Sequence, residues 1–194
     1  MSLNHYAYIR VSGGKINDKF KEIYRFKNDY NDFYLVEVIH YDFHVYAIKF
    51  YLKKHRLSPN RYSLCYSQEF KQRKGFPTGS GNFLKVLNTI TQIAISEVLH
   101  RDTLASFGFL GAPKLSESNP DLNANNINPD NTVANTKRYK VYLSYCERFF
   151  NPEKFEYIYS NTSSILLLRN NKNKEALTKE QAEKYIVDEI IPNL

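Results

Sequence analysis

Strand-like alternation of apolar and polar residues dominates the first third of the chain. Residues 33–40 and 43–53 are rich in β-branched and aromatic side chains in partial alternation, which predicts two strands joined by a tight turn at Tyr41 and Asp42. Shorter strands are predicted at 5–10, 21–26 and 61–67, the first two on either side of a polar turn that includes Ser12, Gly13 and Gly14.

A helical period appears further along. From Asn82 to about His100, apolar residues recur at intervals of three and four, which predicts a helix with one buried face. Residues 104–111 form a short apolar run typical of a buried strand. The remaining predicted elements are a second helix at 137–150, a hairpin made of 155–160 and 163–169, and a last helix whose capping box is formed by Thr178 and Gln181.

The order of these elements predicts an α+β fold with one mostly antiparallel mixed sheet and flanking helices. Residues 112–136 interrupt it with asparagine, proline, serine and aspartate, so we expect a mobile insert there. We therefore predict one domain over residues 1–170, and a C-terminal helix within 171–194 that packs on it or extends from it.

Composition narrows the classes of function. The 194 residues carry a net charge of +7, which favours anionic partners such as nucleic acid, a phosphate-bearing cofactor or an acidic protein. Two distant cysteines exclude a disulfide framework and a cysteine zinc site. No run of 18 apolar residues and no signal-peptide core is present, so we expect a cytoplasmic protein that does not span a membrane.

The stretch "PTGSGNFLKVLNTI", residues 77–90, places two glycines immediately before the predicted helix. Together with "ASFGFLG" and "TKRYKVYLSYCERFFNPEKFEYIYS", it resembles the second half of the GNAT family of N-acetyltransferases. Most of the chain is also similar to small bacterial and phage proteins of unknown function, in its "SGG", "FGFLGAP" and "TKRYKVYLSYCERFF" segments. The resemblance implies a GNAT-like fold in which the glycine loop binds the pyrophosphate of acetyl-CoA or another acyl-CoA.

On this resemblance, the backbone amides of Gly79, Ser80, Gly81 and Asn82 would hold the phosphates, with Arg73 and Lys74 nearby. Glycines permit close approach of a ligand, and a helix N-terminus attracts anions. The alternative is that Ser80 or Asn82 only caps the helix. Phe76 stands where the family has glutamine or arginine, and Pro77 lacks an amide hydrogen.

Two residues are candidates for catalysis. The resemblance makes Tyr142, on the second predicted helix, a general acid that protonates the departing thiolate, whereas its alternative role is a buried ring beside Tyr139 and Tyr145. Glu37, on a predicted central strand, is a candidate general base.

Other residue patterns have simpler interpretations. His40, Asp42 and His44 would share a face on one continuous strand and suit a metal, but the predicted turn at Asp42 favours a solvated hairpin. Lys137 and Arg138 would either meet a ligand phosphate or remain solvated. Cys146 falls on the apolar stripe of its helix and is predicted to lie in the core.

Two functions follow as hypotheses. The first is acyl-CoA-dependent acyl transfer to an unknown amine. The second is a non-catalytic module of a mobile element or host-conflict system that binds nucleic acid or a protein through its basic surface.

Overall fold

The strands and helices are taken from a computed structural model that describes residues 4–16, 18–64 and 81–190. The strands are β1 (Tyr8–Ile16), β2 (Lys19–Lys27), β3 (Phe33–Tyr41), β4 (Val45–Leu52), β5 (Ser106–Leu110), β6 (Phe155–Ser160) and β7 (Ile165–Asn170). The α-helices are α1 (Gly81–Ile93), α2 (Pro120–Asn123), α3 (Lys137–Phe149) and α4 (Lys179–Tyr185).

The seven strands form one mixed sheet in the order β1-β2-β3-β4-β5-β7-β6. β1 pairs antiparallel with β2, and β7 pairs antiparallel with both β5 and β6. β4 and β5 run parallel, with Val45 opposite Ser106 and Ile48 opposite Phe109. A parallel pair needs a crossover connection, and here α1 lies in that connection. The predicted α+β class with a mostly antiparallel mixed sheet is confirmed.

The described chain divides into two compact units. The first comprises Met1–Val38 and Lys49–Arg101, and the second comprises Ile39–Ile48 and Asp102–Leu194. In the first unit the inward side chains of β2 and β3 include stacked rings, with the centroids of Phe26 and Tyr34 5.0 Å apart. The predicted apolar stripe on α1 is buried at Val86, Leu87, Ile90 and Ile93.

Polar contacts join helix α1 and the π-type turn after it to β1 and to the residues before β1. The amide of Tyr6 donates to Oγ1 of Thr89 at 2.9 Å, and the hydroxyl of Tyr8 donates to Glu97 at 3.1 Å. Beyond Ile93 the helix widens into a π-type turn over Ala94–Leu99, so the predicted helix end near His100 is confirmed.

The second unit has a core of hydrophobic residues from strands and from the C-terminal segment that contains α4. It contains Tyr41, Val45, Ala47, Ile158, Ile165, Leu167, Leu177, Ala182, Ile186 and Ile190. The capping box predicted at Thr178 and Gln181 is present and begins α4. The predicted division at residue 170 stays a prediction, and α4 packs within the second unit.

Two segments differ from their sequence-based expectations. Ser12, Gly13 and Gly14 belong to β1 instead of a turn, because β1 pairs with β2 as far as Ile16, with a register shift between Arg10 and Ser12. Residues 61–64 form a turn and not a strand, while the rest of the predicted 61–67 strand lies outside the described residues. The turn between β3 and β4 is confirmed, and it spans residues 42–44.

The segment 112–136 holds more local structure than its composition indicates. It contains α2, a short 3₁₀ turn over Ala124–Asn126 and an isolated bridge between Ile127 and Val133. Val133 is buried, and Oγ of Ser164 donates to its carbonyl at 2.7 Å. A buried apolar side chain and a buried hydrogen bond therefore fix the end of this segment.

No helix within residues 4–16, 18–64 and 81–190 is both long enough and apolar enough to cross a membrane.

Candidate functional site

A buried carboxylate at the middle of β3 is the centre of the first unit's polar cluster. The neighbours Val36 and Val38 point into the core, and strand alternation turns Glu37 to the opposite face. Glu37 is only 3% exposed. It accepts hydrogen bonds from Nζ of Lys21 at 3.2 Å, from the Tyr51 hydroxyl at 3.1 Å and from the Tyr62 hydroxyl at 2.6 Å.

Two further cations surround this carboxylate. Lys49, on β4, is 8% exposed, and its Nζ lies 5.3 Å from the centroid of the Tyr62 ring. The guanidinium of Arg61 lies 5.3 Å from the Tyr51 ring and 4.6 Å from the Tyr62 ring, and it donates to the Tyr62 hydroxyl at 3.0 Å. We refer to Lys21, Glu37, Lys49, Tyr51, Arg61 and Tyr62 as the Glu37 cluster.

The environment shifts the pKa values of this cluster in opposite directions. Burial alone would raise the pKa of Glu37, but the hydrogen bond from Tyr62 and the charge of Lys21 outweigh it and lower that pKa. Burial lowers the pKa of Lys49 to about 8, although the charge of Glu37 acts against that change. Burial and the Glu37 charge raise the pKa of Tyr51 to about 12 and also raise the pKa of Tyr62.

These shifts define the chemistry available. Glu37 is ionised at neutral pH, and its three donors make it a weak proton acceptor. Because burial lowers the pKa of Lys49 to about 8, a neutral amine is accessible there under mildly basic conditions. The predicted base therefore lies in a charged cluster that also contains a buried amine of lowered pKa.

Tyr142, the predicted general acid, lies in the second unit on α3 and is buried, as are Tyr139 and Tyr145. Thr136 caps this helix by accepting from the Tyr139 amide at 3.1 Å. Glu37 and Tyr142 thus belong to different units. Cys146 is buried on the same helix with its pKa raised to about 12, which confirms it as a core residue.

Arg138 departs from both expectations for it. It is buried, and its Nη1 donates to the carbonyl of Ala112 at 3.1 Å. Arg138 is therefore neither solvated nor exposed to a ligand phosphate, because its position at the start of α3 turns it towards the chain that follows β5. Lys137, beside it, is exposed, and its amide donates to Glu117 at 2.9 Å.

A second polar group forms at the turn between β3 and β4. Nδ1 of His44 lies 2.8 Å from Oδ2 of Asp102, and the Tyr46 hydroxyl donates to the same oxygen at 2.8 Å. These contacts outweigh burial and lower the pKa of Asp102. Asp42 lies in the turn, so His44 is paired with a distant carboxylate and not with the aspartate two residues before it.

The predicted phosphate loop is described only in part. Gly81 and Asn82 are the first residues of α1, whereas Gly79, Ser80, Arg73 and Lys74 lie outside the described residues. The first turn of α1 contains no acidic residue, so no carboxylate in it opposes an anion at that end. Among the described residues, no three histidine, cysteine or carboxylate side chains are grouped to hold a metal ion.

Sequence reasoning missed Lys49, Arg61 and Tyr62. A signal for Lys49 exists, because it is a lone charge inside the apolar run "VYAIKFYL" of β4, and such a residue is rarely buried without a partner. Arg61 and Tyr62 carry no comparable local signal, since only the return of the chain after β4 brings them to Glu37.

Comparisons with protein-family models, with curated proteins and with solved structures found no match to this chain. The class of protein is therefore defined by the chain itself: an α+β protein whose mixed sheet has one described parallel pair and carries a buried, charged cluster beside Glu37.

Proposed function

We propose that this protein is an acyl-CoA-dependent acyltransferase that acts on an amine, with a GNAT-like fold. One observation carries the proposal: β4 and β5 pair in parallel, α1 lies in the crossover between them, and β5 is followed, after the short helix α2, by α3 and the β6–β7 hairpin. This order is the one that the family resemblance implies.

The crossover also suits an anionic ligand. The N-terminus of a helix presents backbone amides that carry partial positive charge. In the proposal, the amides of Gly79, Ser80, Gly81 and Asn82 bind the pyrophosphate, and Arg73 and Lys74 add positive charge. The absence of acidic residues in the first turn of α1 supports this assignment.

When bound, acyl-CoA would supply the acyl group as a reactive thioester. The substrate amine would attack its carbonyl carbon, so that an amide bond forms, the carbon–sulfur bond breaks and a thiol leaves. Glu37 or water would take the proton from the amine, with Lys49 close to Glu37 as the group that titrates near neutral pH. The sulfur would leave as a thiolate and take up a proton, so that CoA departs as a thiol. Positioning of the two substrates would provide much of the rate.

Isothermal titration calorimetry with acetyl-CoA and with CoA tests the proposal. We expect a measurable heat of binding, with a dissociation constant in the range of about 1 μM to 1 mM that is common for the KM of enzyme substrates. We also expect a rise in melting temperature as ligand is added. Absence of both effects at millimolar ligand would overturn the proposal.

Two variants distinguish binding of acetyl-CoA at the glycine loop from attraction to the net positive charge of the protein. Replacing both Arg73 and Lys74 with glutamine should weaken binding of acetyl-CoA, whereas Lys140→Gln, an exposed change on α3, should leave it unchanged. Equal loss in both variants would mean that binding follows net charge and not the loop. Release of free thiol in the presence of a panel of amines then tests transfer itself.

A further inference from the structure

Three cations surround one exposed aromatic ring in the first unit. Phe33, the first residue of β3, is 38% exposed. Cζ of Arg25 lies 5.4 Å from its ring centroid, and Nζ of Lys27 and Nζ of Lys53 each lie 5.7 Å from it. No two of these charges are more than about 11 Å apart, because each is so close to the same centroid. We name Arg25, Lys27, Phe33 and Lys53 the Phe33 patch.

The strand pattern explains why these side chains meet. On β2, Glu22, Tyr24 and Phe26 are buried, so Arg25 and Lys27 project from the opposite face. Lys53 is the first residue after β4 and lies in a 3₁₀ turn. The fold therefore collects basic side chains from β2 and from the end of β4 around the start of β3.

The three positive charges of the patch have no carboxylate partner in residues 4–16, 18–64 and 81–190. Each of them lies instead against the Phe33 ring. Other cations of the same unit differ, since Lys21 pairs with Glu37 and Lys85 pairs with Asp29. Lys27 and Lys53 are exposed, so their charges face solvent and are accessible to an anion. Separations of at most about 11 Å are well within the Debye length of about 30 Å at 0.01 M salt, so at low salt the three charges act on an anion together.

We propose that the Phe33 patch binds single-stranded nucleic acid, with backbone phosphates on Arg25, Lys27 and Lys53 and one base stacked on the Phe33 ring. Cationic side chains that track the backbone, combined with an aromatic platform, are the recurring design of sequence-tolerant single-strand binding. This function goes beyond acyl transfer and does not depend on it.

Two features favour this partner over others. A duplex keeps its bases stacked and would offer the ring no free face, so the aromatic member of the patch suits an unpaired base. An anionic membrane would also attract the cations, but interfacial binding needs a broad apolar face to insert, and the patch has a single ring.

Fluorescence anisotropy with a labelled oligothymidylate of about 12 nucleotides measures the binding directly. We expect binding at about 20 mM salt, with a slope near −2 for the logarithm of the association constant against the logarithm of the salt concentration. That slope follows from three phosphate contacts at about −0.7 each. Absence of binding at low salt would overturn the proposal.

Variants of the patch distinguish it from general attraction to a basic protein. Phe33→Leu keeps an apolar side chain but removes the stacking surface, and we expect the affinity to fall by about five- to 150-fold with the salt slope preserved. Lys27→Gln combined with Lys53→Gln should reduce the slope by about 1.4. Lys15→Gln, at an exposed position on β1, is the matched control and should change neither the affinity nor the slope substantially.

Equal melting temperatures of the variants and the wild type establish that each is folded. If all variants bind as the wild type does, or if Lys15→Gln weakens binding as much as the patch variants do, the patch is not the site. Equal affinity for duplex and single strand, with no effect of Phe33→Leu, contradicts the stacked base. Binding of phosphatidylserine vesicles without binding of the oligonucleotide would make the partner a membrane surface and overturn the proposal.

Discussion

The buried amine of Lys49 should be visible in the pH dependence of folding stability. Burial lowers its pKa in the folded protein to about 8, from an ordinary value of 10.5. Between these two values the unfolded chain binds more protons than the folded chain, so the free energy of unfolding rises with pH. A pKa difference of about 2.5 corresponds to about 3 kcal/mol.

Lys49→Met removes this titration while it retains much of the side-chain volume. The variant loses the attraction between Lys49 and Glu37 and also loses the cost of burying a charge, so its stability at pH 7 combines two opposing effects. These two effects shift the stability of the variant by a constant amount, so they do not alter how the difference in stability changes with pH. Relative to the variant, the wild type should therefore gain about 2–3 kcal/mol between about pH 7.5 and pH 10.

Urea unfolding followed by circular dichroism, at several pH values in this window, measures the difference. The raised pKa values of tyrosines such as Tyr51 act above about pH 10 and in both proteins, so they cancel. Lys140→Met, which changes an exposed lysine on α3, should follow the wild-type curve. Parallel curves for the wild type and Lys49→Met would show that Lys49 does not titrate in this range and would refute the reasoning.

Three further changes test other parts of the structure by urea unfolding. Glu37→Gln leaves buried cations without their carboxylate and should destabilise the protein by about 3–5 kcal/mol at neutral pH. Because the folded pKa of Glu37 is lowered, this loss of stability should shrink as pH falls through that pKa. A constant loss down to acid pH would contradict this. Gly111→Ala would place its Cβ 2.5 Å from Cβ of Tyr139 and should destabilise the protein by about 1–3 kcal/mol. Gly14→Ala, whose Cβ would have no atom within 4 Å, should be close to neutral, and equal effects of the two changes would be inconsistent with the packing. Thr178→Ala removes the capping box of α4 and should cost about 1 kcal/mol, with no loss expected if the cap contributes nothing.

The sequence predicts best those elements whose signal is local. Its 3.6-residue period predicts α1, its capping box predicts α4, and alternation predicts the β6–β7 hairpin, each within a few residues of the observed bounds. The sequence predicts β1 less well, since Ser12, Gly13 and Gly14 have the composition of a turn. Pairing with β2 overrides that local preference, because ladder hydrogen bonds and the neighbouring strand stabilise an extended backbone whatever its side chains.

The candidate site was harder to predict because its chemistry depends on long-range contacts. Glu37 could be chosen as a carboxylate on a central strand, but its lowered pKa arises from Lys21, sixteen residues earlier, and from Tyr62, twenty-five residues later. The same holds for His44, which is held by Asp102 and not by a sequence neighbour. A sequence pattern fixes which face a side chain takes, whereas the identity of its partner depends on how strands and turns come together.

One face of β2 contributes cations to both the Glu37 cluster and the Phe33 patch. Lys21 points to Glu37, while Arg25 and Lys27, further along the same face, meet the Phe33 ring. The first group has a buried carboxylate, which holds its charges in place and makes stability sensitive to pH. The second group has a neutral ring and open solvent, which leaves its charges able to attract an external anion. The sheet thus separates the two roles by the residue that β3 places opposite the cations: a carboxylate at its centre and an aromatic ring at its start.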